Sequence, residues 1–189
     1  MAKHTLIGIA GAFGSGKSTA ATILKSYGFQ TVSLVEPLEE ELTKRGEIPL
    51  IRTKLQDLGN EWRVQYGNAI LMEKALEKVR EQNWEKVVIE GYRNSSEIKR
   101  FRQEENTLLI SLVVNRAIRF ERLQQVKRRE ELTREVFDRL DDRDLGINEG
   151  QSGLQTAICI ALADIFIENN GTVEQLTDKL KTMLTTYAN

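Results

Sequence analysis

Two patterns of apolar and polar positions alternate along the 189-residue chain: short apolar runs, and longer stretches with apolar residues three and four apart. TLIGIAG, from Thr5, reads as a short strand ending in glycine, and STAATILKSYG after it reads as a helix stopped by Gly28. QTVSLV is a second strand. From Glu36 to Gln82 the pattern is helical, with breaks near Gly46 to Pro49 and at Gly67. WEKVVIEG is a third strand, EIKRFRQEE a helix, TLLISLVV a fourth strand and RAIRFERLQQVKRR a helix again. ADIFIEN makes a fifth strand, and TVEQLTDKLKTML closes the chain as an amphipathic helix. Strands that alternate with helices and are apolar on both faces predict an α/β fold with a parallel sheet covered on each side. Ligands of such sheets gather beyond the carboxyl ends of the strands. The glycine-rich segment after the first strand, EGYRN and NNG all fall there.

Composition narrows the classes. The length suits one sizeable core and is short for two, so the chain reads as a single domain over 1–189. With 27 Lys+Arg against 28 Asp+Glu there is no overall basic balance to suggest a nucleic-acid or membrane partner. Cys159 stands alone inside the apolar run AICIALADIFI, which excludes a disulfide framework and reads as a buried small hydrophobe. No run approaches the length of a membrane span, and the N-terminal apolar stretch is too short for a signal peptide. A cytoplasmic location is the expectation. His4 is the only histidine and precedes the first strand, which argues against a histidine-dependent triad or a histidine-ligated zinc site.

Gly11 to Ser18 read GAFGSGKS, a full match to G-x-x-x-x-G-K-[ST], placed between a strand and a helix as that motif requires. Glycines at 11, 14 and 16 let the backbone curl until successive N–H groups point at phosphate oxygens, and the helix N-terminus adds partial positive charge. Ala12, Phe13, Gly14, Ser15, Gly16, Lys17, Ser18 and Thr19 are therefore the expected ATP-binding residues. Lys17 would reach the outer phosphates and Ser18 would place its hydroxyl on Mg²⁺. The spacing does not fit the dinucleotide fingerprint G-x-G-x-x-G. In VVIEGYRN, Glu90 ends a buried strand, where a carboxylate can organise the Mg²⁺ shell or the attacking hydroxyl; Arg93 follows three residues later, facing the same crevice.

These segments resemble the nucleoside-monophosphate-kinase branch of P-loop kinases. Within it the chain is similar to the group of dephospho-coenzyme-A kinases, deoxynucleoside-monophosphate kinases and archaeal adenylate-kinase-like proteins. VVIEGYRN is similar to the group's strand-Asp-Gly-aromatic-Arg turn, with Glu90 where the group has Asp. RTKLQDLGNEWRVQYGN, Arg52 to Asn68, resembles the segment in which a glutamine, a glycine and flanking arginines approach the acceptor, which implies Arg52 and Arg63 as acceptor ligands beside Glu90 and Arg93. ADIFIENNGTVEQL, Ala163 to Leu176, resembles the closing strand and turn of the dephospho-coenzyme-A kinases. Glu36 stands near the end of the second strand, where relatives carry Asp, and is implied as a contact or base for the acceptor hydroxyl.

Between Asn115 and Asp144 lie nine Lys/Arg and eight Asp/Glu, the signature of a salt-bridged helical hairpin. Phosphoryl transfer also calls for mobile arginines that neutralise charge as a site closes. By resemblance the break after Arg122 is a lid over about 126–133, with Arg128 first and Arg122 second as phosphate contacts. Trp62 and Trp84 read as packing anchors.

Together the readings point to an ATP- and Mg²⁺-dependent kinase for a small nucleotide-like acceptor. The expected fold is a three-layer α/β/α sandwich around a five-stranded parallel sheet, its order 2-3-1-4-5 implied by the family, with a helical acceptor-binding insert over about 36–82. A (deoxy)nucleoside monophosphate ranks ahead of dephospho-coenzyme A as acceptor, and a P-loop switch protein is the alternative from another class. A nucleic-acid 5′-end kinase would need a basic track that the charge balance does not offer. Oligomeric state is not encoded in any motif found.

Overall fold

The computed structural model describes residues 5–125 and 132–187. Five strands, β1 (Thr5–Gly11), β2 (Gln30–Ser33), β3 (Lys86–Glu90), β4 (Thr107–Val113) and β5 (Ile165–Glu168), form one parallel sheet in the order β2-β3-β1-β4-β5, as expected. The helices are α1 (Lys17–Ser26), α2 (Glu36–Lys44), α3 (Arg52–Tyr66), α4 (Ile70–Glu81), α5 (Ser95–Phe101), α6 (Arg116–Gln125), α7 (Arg134–Leu145), α8 (Thr156–Ala161) and α9 (Val173–Tyr187). The helical stretch expected over 36–82 is α2, α3 and α4.

Both faces of the sheet are covered because its strands are apolar on both. In β1 Leu6 and Ala10 point to one core and Ile7 and Ile9 to the other. The first core packs under α2, α4 and α5 through residues such as Leu38, Met72, Leu76 and Phe101. The second lies under α1 and α9 through Leu24, Leu176 and Leu180. Each fully buried aliphatic side chain contributes about 1.5–3 kcal/mol, so the two cores supply the main drive to fold. Gly8 is the exception in β1. A Cβ there would stand 2.7 Å from both Leu109 and the Tyr92 hydroxyl, so the missing side chain makes room for the hydroxyl end of Tyr92 against β1.

Two local departures from the sequence pattern have plain causes. The apolar run AICIALADIFI is split. Its first half forms α8, with Cys159 fully buried, and the strand starts only at Ile165. Asp164 marks the change: its carboxylate accepts from Leu109 N at 2.8 Å and from Arg102 at 2.7 Å, pinning the chain to the edge of β4. The second strand ends at Ser33, two residues early, because Val35 already starts α2 while Leu34 N still bonds Glu90 O at 2.9 Å. Trp62 and Trp84 pack against the first core.

The turn after β3 is fixed by a buried carboxylate. Glu97 accepts from the backbone N–H of Arg93 and Asn94 at 2.7 and 3.0 Å, and from Arg63 Nη2 and Nε at 2.9 and 3.2 Å. Asn94 caps α5 and also donates to Gln151 O and Gly153 O, tying in the loop before α8. Both members of the Arg63–Glu97 pair are buried, so removing one leaves the other charged and unpaired in a medium that solvates it poorly. Glu97→Ala is expected to lower unfolding stability by about 3–5 kcal/mol in urea titrations, and Arg63→Met by a similar amount.

Candidate functional site

The loop from β1 to α1 wraps a basin at the carboxyl end of the sheet. Gly14 has φ +80°, and a Cβ on it would stand 2.9 Å from Leu123 and 3.0 Å from Arg119 O, so α6 can lie hard against the loop. The loop is braced from outside at two carbonyls. Asn169, from the NNG turn after β5, donates to Ser15 O at 3.0 Å, and Arg119 donates to Phe13 O at 2.8 Å. Arg119 is itself buried and paired through two nitrogens with the buried Asp141 of α7. Ser15 N–H is used within the loop, donating to Ala12 O at 3.1 Å, and bracing the curl by its carbonyl side leaves the other donors for an anion.

Lys17 is buried, and its ammonium donates to Gly11 O at 2.7 Å and Ala12 O at 3.1 Å. Burial, aided by the charges of Arg93 and Arg52, lowers its pKa to about 7 against the opposing pull of Asp144 and Glu90. Ser18 is exposed on the basin wall, Thr19 lies beside it, and the same wall carries Phe13, Ser33, Glu39, Arg52, Glu90, Arg93 and Arg122. The basin has a volume of about 520 Å³ and opens to solvent, which suits a ligand larger than a single phosphate. Glu90 ends β3 half-buried, with no hydrogen bond or ion pair to its carboxylate among the described residues, and lines both this basin and a shallower opening shared with Ser18 and Glu36. No group of three or more His, Cys, Asp or Glu able to cage a metal occurs among the described residues. One hydroxyl and one carboxylate match Mg²⁺, which keeps several waters and takes the rest of its shell from phosphate oxygens.

A second, apolar pocket adjoins the basin. Val35, Leu38, Leu55, Leu71 and Leu154 form its walls, and it shares Val35, Arg52, Gly91 and Arg93 with the basin. Gln56 lines it. Its amide is buried, and neither Nε2 nor Oε1 has a hydrogen-bond partner. At the junction, the fully buried Asp144 of α7 meets Arg52 Nη2 at 2.7 Å and Arg93 Nε at 3.4 Å. Burial alone would raise the Asp144 pKa, but Arg93, Arg52 and Lys17 together outweigh it and hold the carboxyl below its ordinary value.

Residues 7–141 match the family described as an AAA domain. The chain is 30% identical to a UPF0200 protein of Methanothermobacter thermautotrophicus and 32% identical to one of Methanocaldococcus jannaschii, each alignment covering 95% of this chain and 88% of the relative. The chain belongs to the AAA-domain family and to the UPF0200 proteins. Among solved structures, this UPF0200 member superposes on TT1252 from Thermus thermophilus with a TM-score of 0.59 at 22% identity, covering 97% of this chain and 98% of that one. It superposes on shikimate kinase from Aquifex aeolicus with a TM-score of 0.57 at 16% identity, again covering 97% and 98%. These likenesses establish a P-loop kinase fold.

In this UPF0200 fold Lys17, Ser18, Arg52, Glu90, Arg93 and Arg122 gather on one basin. Arg122 is tied to the closing turn, donating to Gly171 O at 2.8 Å. Glu36 opens α2 at the rim, its carboxylate 2.7 Å from Lys78 and off the main basin. Arg63 lines the apolar pocket while its guanidinium is held by Glu97 and Asn60. Arg128 lies outside the described residues, as does most of the segment expected as a lid. Asp141 and Asp144 were not singled out from the sequence; the resemblance of Arg52 to Asn68 called for a glutamine near the acceptor without a number, and the fold adds that the amide of Gln56 is buried and unpartnered. For the two aspartates a signal exists: three residues apart in RLDDRD, they share one face of α7.

A polyanion at the loop favours the ammonium form of Lys17 and raises its pKa again. At about pH 8, where Lys17 is mostly neutral in the free protein, binding of Mg-ATP should take up close to one proton. Below pH 7 the uptake should fade, and affinity should fall as pH rises above 7. Calorimetry in two buffers of different ionisation enthalpy reads the proton count, and Lys17→Met should abolish it.

Proposed function

We propose that this protein is an ATP- and Mg²⁺-dependent phosphotransferase acting on a small anionic acceptor, with a (deoxy)nucleoside monophosphate as the leading acceptor and dephospho-coenzyme A as the second. The observation that carries the reading is the pairing of two cavities across one wall. The loop basin offers a phosphate cradle, the apolar pocket of about 50 Å³ offers leucine walls and an unpartnered amide, and Arg52 and Arg93 stand at the seam.

Bound Mg-ATP supplies the transferable phosphoryl group. Lys17 and the loop N–H groups hold the triphosphate, and Ser18 with Glu90 supplies the protein side of the Mg²⁺ shell. Arg93 and Arg52 offer planar forks to the acceptor anion, a geometry that a lysine cannot copy. A monophosphate attacks through an already ionised phosphate oxygen and needs no base; with dephospho-coenzyme A, Glu90 is the stronger candidate to receive the ribose hydroxyl proton, because Glu36 shares its charge with Lys78. Arg122 and Arg128 would neutralise charge on the transferring group as the site closes, and the work is positioning and electrostatics with no covalent intermediate. The Gln56 amide, left with a free donor and a free acceptor between leucines, fits a flat ring whose edge carries both. A reducing compartment, the cytoplasm, suits the single buried cysteine, and no described helix is long and apolar enough to cross a membrane.

ATP consumption over a panel of nucleoside and deoxynucleoside 5′-monophosphates, dephospho-coenzyme A and shikimate tests the reading. Strong stimulation by one acceptor is the expected result, while slow hydrolysis indifferent to all of them would indicate a switch protein. With the stimulating acceptor, Lys17→Ala should lower kcat by at least two orders of magnitude, about 3 kcal/mol. Arg93→Ala should lower kcat/KM for the acceptor at least ~10-fold and leave ATP affinity nearly unchanged.

Gln56→Leu separates stability from recognition. Removing a buried amide with no partners should stabilise the free protein by about 1 kcal/mol or more. The same change should reduce discrimination among nucleoside monophosphates whose base edges differ, while leaving their preference over ribose 5-phosphate in place. Thermal melts and competition binding read the two effects.

A further inference from the structure

Three residues on one face of α7 reach the site, each to a different partner. Phe137 stacks on the P-loop residue Phe13, with centroids 6.2 Å apart and planes 19° from parallel. Asp141 holds Arg119, which donates to Phe13 O. Asp144 meets Arg52 and Arg93. Their spacing, four residues and then three, is the spacing of neighbours along a helix stripe. The Arg52 guanidinium, in turn, lies over the Phe13 ring at 3.9 Å from its centroid. Arg52 is therefore fixed on its flat face by the triphosphate loop and at its edge by α7.

We propose that Phe13 and Asp144 are positioning residues that couple the two sites: filling the loop sets Arg52 for the acceptor anion, so each ligand raises the affinity of the other. This rests on the two-site phosphotransferase reading above. The fixed positions of the motif do not call for an aromatic ring at Phe13, since its phosphate contacts come from backbone N–H groups. The ring faces Arg52 and Phe137 instead, and is buried. An arginine side chain has many rotamers, and holding it beforehand removes an ordering cost that the acceptor would otherwise meet.

The loop has a reason to move when a polyanion enters. Lys17 is bonded to the carbonyls of Gly11 and Ala12, directly before Phe13. Phosphate oxygens compete for the same ammonium, which releases those carbonyls and shifts the residue that carries the ring. Asp144 Oδ2 is buried with no hydrogen-bond partner, so its carboxylate depends on the neighbouring cations for compensation and resists any move of Arg52 away from it. Linkage then requires the effect to be reciprocal.

The test measures AMP affinity by calorimetry with and without saturating Mg-AMP-PNP, using the full chain and its variants. The unaltered protein should bind AMP at least ~5-fold more tightly in the presence of the analogue. Phe13→Leu keeps an apolar side chain yet loses the ring, and the ratio should fall to about 1. Phe13→Tyr should restore it, which a merely structural role for the site does not require. Asp144→Asn should also collapse the ratio, and serves as the second variant if Phe13→Leu does not fold by circular dichroism. A ratio of 1 in the unaltered protein, or a full ratio in a folded Phe13→Leu or Asp144→Asn, overturns the coupling while leaving the phosphotransferase standing. Binding of AMP-PNP with no binding of AMP, any other 5′-monophosphate, dephospho-coenzyme A or shikimate overturns both.

Discussion

The site is organised by the need to keep several cations together at the floor of one basin, on a fully buried carboxylate. Lys17, Arg52 and Arg93 converge where the sheet ends, and the fully buried Asp144 lies in contact with both arginines. Without that carboxylate the like charges would repel, and the pKa of Lys17, already lowered to about 7, would fall further. With it the cations remain poised beside one another and short of full compensation. An arriving polyanion completes the balance, which is why an anionic ligand follows so directly from the geometry.

Much of the remaining fold serves to hold that cluster in place. The parallel sheet brings the ends of β1 and β3 side by side, through the register of Ile9 with Glu90, so the loop lysine and the Glu90–Arg93 turn share one edge. Glu97 fixes the turn from below through two backbone N–H groups and Arg63. Asn169 and Arg119 fix the loop through its carbonyls. Each support is a buried polar group satisfied by backbone partners, so the loop is held in one shape until a ligand competes for the Lys17 ammonium.

The two cavities differ in chemistry because different layers line them. The basin is made by backbone donors and charged side chains from strand ends. The pocket is made by the apolar faces of α2, α3 and α4, and the one amide placed among them has nothing to bond. A polar, charged chamber joined to an apolar one through a pair of arginines suits a ligand pair of which one member is a polyphosphate and the other carries both an anion and a ring.

The five strands, the glycine-rich loop, the helical stretch from Glu36 and the strand-end positions of Glu90 and Arg93 were legible in the sequence, because each is written in a local pattern: period, glycine spacing, or a motif between a strand and a helix; the sheet order came from the family resemblance, since no local pattern encodes which strands pair. Arg63 shows the limit of such reading. Its segment suggested an acceptor ligand, and the fold spends its guanidinium on Glu97, 34 residues away. Asp144 is separated from Arg52 by 92 residues and Phe13 from Arg119 by 106, so neither partnership leaves a trace in any window of the chain. Sequence alone determined which residue types stand at the ends of which strands. The tertiary structure decided which of the many charges in α6 and α7 are buried, which arginine each carboxylate holds and which amide is left unpaired, because those outcomes depend on distances between elements that only packing sets.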